Sequence, residues 1–162
     1  MEFENIKILL VDDDKQEQSI LSMMLEKISC KIILASDGYE GLIKFKEQSP
    51  NIILTDIKMP KFDGFEMIEE IQKINADVPI ILLTSFSEEE YLIKAINLGV
   101  KYFLKKPINF KELEKTIYNT AKNFLMAQEI LNKSLIIDSS PYSILTIDLN
   151  GKIKTVNKFA VK

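Results

Sequence analysis

Five short apolar runs recur along the first two thirds of the chain: IKILLV at 6–11, KIILA at 31–35, NIILT at 51–55, PIILLT at 79–84 and KYFLK at 101–105. Short runs rich in isoleucine and leucine, bounded by Asp, Gly, Pro or Ser, predict strands buried on both faces, because a half-exposed strand would alternate apolar with polar positions. Between them, apolar positions recur at helical spacing: Ile20, Leu21, Met24 and Ile28 after the first run, Phe65, Ile68, Ile71 and Gln72 after the third, Leu92, Ala95 and Ile96 after the fourth. Regular alternation of this kind predicts right-handed βαβ crossovers and an α/β fold: an open, doubly wound, five-stranded parallel sheet with helices on both faces.

After Pro107 the pattern changes. Asn109 suits a helix N-cap, and neither Gly nor Pro interrupts the chain before Pro141, which predicts one long C-terminal helix. Leu113, Ile117, Phe124 and Leu131, with Thr120 and Ala127, follow heptad spacing, so the helix from about Phe110 to Ile136 is expected to pair with a second copy. The stretch SSPYSILTIDLNGKIKTVNKFA alternates apolar residues on either side of Asn150-Gly151, a dipeptide suited to a tight type I′ hairpin. An isolated hairpin is marginal in water, so this segment reads as the start of a further domain. The expected division is residues 1–122, a linker helix at 123–137, and a domain fragment at 138–162.

Composition narrows the function. Apolar residues at 46% and charged ones at 28% fit an ordinary globular protein. A formal charge of −3 gives no basic footprint for nucleic acid. The opening MEFENIKILL has too short an apolar run for a signal peptide or a span, so no membrane association and a cytoplasmic location are expected. Cys30 is the single cysteine and reads as a reduced, buried filler; with no histidine present, Ser/His/Asp catalysis and His-ligated zinc are excluded for these residues.

Ligands of open parallel sheets lie at the carboxyl ends of the strands. The residues leaving those ends are Asp12, Asp13 and Asp14, then Asp56, then Thr84 and Ser85, then Lys105 and Lys106. Two carboxylates about 4 Å apart repel by roughly 4 kcal/mol at an effective dielectric near 20, so converging aspartates demand a proton or a cation. A hard divalent ion answers this and leaves room for a phosphoryl group, which a lysine and a threonine hydroxyl can contact while an aspartate acts as nucleophile. Singly, each residue also fits a plain role: Asp12 to Asp14 as helix caps, Thr84 as a strand end, Lys105 and Lys106 as a solvated pair.

In order and spacing, VDDD (11–14), TDIKMPKFDGFE (55–66), LLTS (82–85) and GVKYFLKKP (99–107) resemble the receiver domain of two-component response regulators, over roughly residues 4 to 122. The resemblance implies a flavodoxin-like strand order 2-1-3-4-5, Asp56 as phosphoacceptor, and a site for Mg²⁺ or Mn²⁺ made by Asp12, Asp13, Asp56 and the backbone carbonyl of Lys58. It implies Thr84 and Phe103 as the switch pair, Lys106 as the phosphoryl-contacting lysine in preference to Lys105, and Met59, Pro60, Gly64 and Pro107 as structural residues. Lys58 and Phe86 flank the site at positions that tune acyl-phosphate lifetime in this family. Tyr102 and Ser85 depart mildly from the family's usual residues and remove no reactive group. The expected role is regulatory, not enzymatic, with a histidine kinase or phosphotransfer protein as donor. SSPYSILTIDLNGKIKTVN resembles the opening of a PAS domain, which implies a receiver joined through the linker helix to a PAS sensor within a PAS-containing output. The rival readings are a haloacid-dehalogenase-like phosphatase with Asp12 as nucleophile, which Asp12-x-Asp14, Thr84 and Lys106 imitate, and a receiver-like interaction module that carries no phosphate.

Overall fold

The structure is a computed structural model and describes residues 4–85 and 89–161. Strands β1 (Lys7–Val11), β2 (Lys31–Ala35), β3 (Ile52–Asp56), β4 (Ile80–Thr84) and β5 (Tyr102–Lys105) alternate with helices α1 (Lys15–Glu26), α2 (Gly38–Gln48), α3 (Gly64–Ile74), α4 (Glu89–Asn97) and α5 (Phe110–Ser139). The five strands form one parallel sheet in the order β2-β1-β3-β4-β5, as the alternation and the resemblance lead one to expect.

The continuous apolar runs follow from burial on both sides. Successive side chains of a strand point to opposite faces, so Leu9, Val11, Ile53 and Leu82 join Phe65, Ile68 and Ile71 of α3 in one core. Ile8, Leu10, Ile52, Leu54, Ile81 and Leu83 join Leu21 and Leu25 of α1 and Leu113, Ile117 and Ala121 of α5 in the other. Burying each such side chain is worth roughly 1.5–3 kcal/mol, which fixes the sheet and hence the positions of its strand ends.

Local signals set the helix starts. Asp14 caps α1 by accepting from the Gln16 and Glu17 amides, Asp37 caps α2, and Asp63 with Glu66 forms a capping box at α3. In α1 the buried residues are Leu21 and Leu25, whereas Ile20 is 50% exposed and Ile28 lies beyond the helix end. Cys30 stands just before β2, half-buried and not on the helix; its thiol contacts the Leu25 carbonyl, and burial pushes it up to about 11.

The chain folds as two compact units, Met1–Lys122 and Asn123–Lys162. Asn109 accepts from the Glu112 amide at the start of α5, and the helix buries Leu113, Ile117, Thr120 and Ala121. In the second unit, β6 (Leu145–Ile147) pairs antiparallel with β7 (Ile153–Val156). The tight type I′ turn expected at Asn150-Gly151 is not what forms. The Asp148 carboxylate accepts from the Asn150 and Lys152 amides, and only Gly151 has positive φ, at 80°. The Asp148 amide also donates to the Lys152 carbonyl, which leaves a three-residue connection, 149–151, ending on the left-handed Gly151. Asn157 is almost fully buried, accepting from the Ile144 amide and donating to the carbonyls of Ile137 and Tyr142.

Candidate functional site

The carboxyl ends of β1, β3 and β5 bring Asp12, Asp13, Asp56 and Lys106 together. One carboxylate oxygen from each of the three aspartates lies within 4.8 Å of the others. Lys106 Nζ donates to Asp56 Oδ2 at 2.6 Å and to Glu17 Oε2 at 2.9 Å, and stands 3.6 Å from Asp12 Oδ2. Asp12 is 1% exposed, Asp13 is exposed and Asp56 is intermediate, so Asp56 is the member that combines a lysine contact with access from solvent.

Each side chain is held by its local chain. Asp12 Oδ1 accepts the Asp14 amide, and Gln18 Nε2 donates to the carbonyls of Asp12 and Ala35, bridging the ends of β1 and β2. Asp56 Oδ1 accepts the Ile57 amide at 2.6 Å, and Thr55 Oγ1 donates to the Asp56 carbonyl. Gly64 explains itself: a Cβ there would lie 2.3 Å from the Asp56 carbonyl oxygen. Its amide donates to the Ile57 carbonyl, so the start of α3 is pressed directly against the strand end carrying Asp56.

Thr84 is nearly buried at the end of β4, its hydroxyl donating to the Ser85 carbonyl, and its own carbonyl accepts the Lys106 amide. Phe103 is half-buried against the core beneath α3. Met59 is buried, Pro60 is exposed, and the Lys106–Pro107 peptide is cis. The Lys58 ammonium lies over the Tyr91 ring at 5.2 Å, while Lys105 is exposed. Phe86 lies outside the described residues.

Charge is unbalanced here. Burial pushes Asp12 up to about 6, the Asp56 and Glu17 charges adding to it and the Asp14 amide and Lys106 opposing. Burial alone would lower Lys106, but its bonds to Asp56 and Glu17 outweigh that and hold it protonated above its ordinary range. Asp12 Oδ2 is buried and accepts no hydrogen bond. An orphaned carboxylate oxygen beside two further aspartates is a donor set suited to a hard divalent cation. The residues therefore fit a magnesium-type ion.

Glu17 is the site residue that sequence reading missed. It sits in the first turn of α1, three residues after the Asp14 cap, where an acid is ordinarily explained by the helix dipole alone. The available signal was its position one turn after the Asp12–Asp14 cluster.

A parallel sheet in this order, with three aspartates and a lysine at its carboxyl edge, defines a flavodoxin-like fold with an acidic strand-end site. Residues 8–118 match the response regulator receiver domain family, and the chain belongs to that family. It is 38% identical over 148 residues to the probable transcriptional regulator ycf27 of Guillardia theta, covering 90% of this chain and 57% of that protein. The homologue in Porphyridium aerugineum is 40% identical over 111 residues, covering 68% and 46%. The chain thus spans about half the length of the curated relatives it matches. Among solved structures, it is similar to a response regulator receiver domain protein from Clostridium thermocellum (31% identity, TM-score 0.71, 75% of this chain and 98% of that one). It is likewise similar to the N-terminal domain of a Wolinella succinogenes protein, at 38% identity with the same TM-score and coverage. No described helix is long and apolar enough to cross a membrane.

Proposed function

We propose that Asp56 accepts a phosphoryl group from a histidine kinase or phosphotransfer protein and that the receiver domain, residues 1–122, changes conformation in response. The observation that carries this is the 2.6 Å contact of Lys106 Nζ with Asp56 Oδ2, on the accessible member of the aspartate cluster. In the transfer, an Asp56 oxygen attacks phosphorus; the new O–P bond forms as the donor's P–N bond breaks, and the departing imidazole keeps or takes up its proton. Asp12, Asp13, Asp56 and the Lys58 backbone carbonyl would hold Mg²⁺ or Mn²⁺, which would neutralise carboxylate and phosphoryl charge. Lys106 pairs a phosphoryl oxygen. Thr84 offers its hydroxyl to another, and the space it leaves is filled by Phe103. Moving the population from 1:99 to 99:1 requires about 5.5 kcal/mol, within reach of two or three charge-assisted contacts at about 1.5–3 kcal/mol each. The phosphatase reading with Asp12 as nucleophile is disfavoured by the 1% exposure of that residue.

Residues 123–137 act, in this reading, as a signalling linker and 138–162 as the N-terminal fragment of a PAS-like domain. The sequence resemblance and the hydrogen bonds of Asn157, which join the end of α5 to the hairpin, support this. Of the expected seam, Leu113, Ile117 and Thr120 are buried in the first unit, so pairing of two copies falls to the later turns, where Leu131 is exposed together with Ile130, Leu135 and Ile136; a strictly monomeric chain in sedimentation would contradict it. The phosphoacceptor role is tested by intact mass after incubation with acetyl phosphate and Mg²⁺: one added phosphoryl group on the wild type and none on Asp56→Asn is expected, whereas equal labelling of both would refute it.

A further inference from the structure

We infer that Glu17 is a positioning residue that holds the Lys106 ammonium away from an incoming phosphoryl group, and so acts as a built-in brake on phosphorylation of Asp56. The inference rests on the phosphoacceptor reading of the site and adds a group to which that reading assigns nothing. Lys106 carries three N–H donors. In the unphosphorylated chain two are committed, one to Asp56 at 2.6 Å and one to Glu17 at 2.9 Å, with Asp12 Oδ2 nearby at 3.6 Å. Asp56 keeps its share of that contact when it becomes the acyl phosphate, because the phosphoryl group is attached to it. Glu17 does not: its carboxylate competes with the phosphoryl oxygens for the same ammonium and brings a like charge to their side of it.

The Lys106–Glu17 bond is also placed to act. The Glu17 side chain is 30% exposed and that of Lys106 19%, so the pair is screened less than a surface bridge, yet Glu17 has solvent into which it can withdraw. Its backbone is fixed by the Asp14 cap, whose carboxylate accepts the Glu17 amide. Withdrawal is therefore a side-chain rotation and leaves α1 intact. Charge repulsion predicts that the brake weighs more heavily on donors of higher negative charge.

The test compares wild type, Glu17→Gln and Glu26→Gln at one saturating Mg²⁺ concentration. Glu26 is an exposed acid at the far end of the same helix and controls for net charge. Acetyl phosphate serves as the dianionic donor; Asp56 attacks its phosphorus, the P–O bond to the acetyl group breaks and acetate leaves. Phosphoramidate serves as the donor of lower net charge. Glu17→Gln is expected to raise the labelling rate with acetyl phosphate roughly five- to tenfold, the size of one partly exposed charge-assisted hydrogen bond, and to raise it less with phosphoramidate, while Glu26→Gln leaves both rates unchanged. A labelled wild type with no acceleration in Glu17→Gln, with equal acceleration for both donors, or with the same acceleration in Glu26→Gln overturns the brake but leaves the phosphoacceptor reading standing. A wild type that takes no label overturns both.

Discussion

Asp12 and Gly64 show how single residues carry the cost of the site. Asp12 is buried with one carboxylate oxygen unsatisfied and is pushed up to about 6, against an unfolded-state value near 3.9. Below pH about 4 both states hold the proton; between about 4 and 6 the native state binds more protons than the unfolded one; above 6 the native carboxylate is charged and the full cost is present. Metal-free protein is therefore expected to lose the Asp12 contribution as pH rises through that window. Asp12→Asn, which can still accept the Asp14 amide, should be more stable than wild type by about 1–3 kcal/mol at pH 7.5 and not at pH 4; urea titrations at the two pH values check this. The same orphaned oxygen predicts that Mg²⁺ raises the melting temperature of the wild type and has no such effect on Asp12→Asn or Asp13→Asn. Gly64→Ala places a Cβ against the Asp56 carbonyl, so an overpacking loss of about 1–3 kcal/mol is expected in denaturant unfolding. Convergence of Asp12, Asp13, Asp56 and Lys106 was legible in the sequence because strand-end residues of a parallel sheet have only one edge to occupy. Glu17 was not, since its contact depends on where a side chain 89 positions from Lys106 reaches across that edge.

At the scale of elements, the two-sided strands were readable from unbroken apolar runs, and α3 from Phe65, Ile68 and Ile71, all fully buried. Helix faces were less readable where a helix is covered on one side only: in α1 the helical spacing fits Ile20 as well as Leu21, and only the packing against β1 and β2 selects Leu21 and Leu25. The turn at Asn150-Gly151 was misjudged because a dipeptide rule cannot include the Asp148 carboxylate that redirects the backbone. Helix α5 is divided between the two units, and substitution should register the division. Leu113→Ala is expected to cost about 2–5 kcal/mol, while Ile130→Ala, at a position 69% exposed, should change monomer stability by less than about 0.5 kcal/mol. Asn157→Ala removes a buried hydrogen-bonding hub, and faster exchange of the Ile144 amide, without faster exchange in β1 or β3, is the expected signature.

Across the whole molecule, the acidic edge shares the Lys106 ammonium among Asp12, Glu17 and Asp56, and the proposed function makes added negative charge there the input. A phosphoryl group brings about −1.5 to −2 charges to a place where carboxylates already outnumber cations. Under the proposed phosphoacceptor role the rearrangement is expected to run through Lys106, whose backbone amide donates to the Thr84 carbonyl and so ties the ends of β4 and β5 together. The chain that follows β5 is α5, one helix from Phe110 to Ser139 whose residues are divided between the two units.

The most direct measurement is the position of the acyl phosphate itself. After reaction with acetyl phosphate and Mg²⁺, borohydride reduction converts a phosphorylated aspartate to homoserine, and peptide mass spectrometry locates it. Homoserine at position 56 is the expected result; homoserine at position 12, or at no aspartate, contradicts the assignment of Asp56 as the phosphoacceptor.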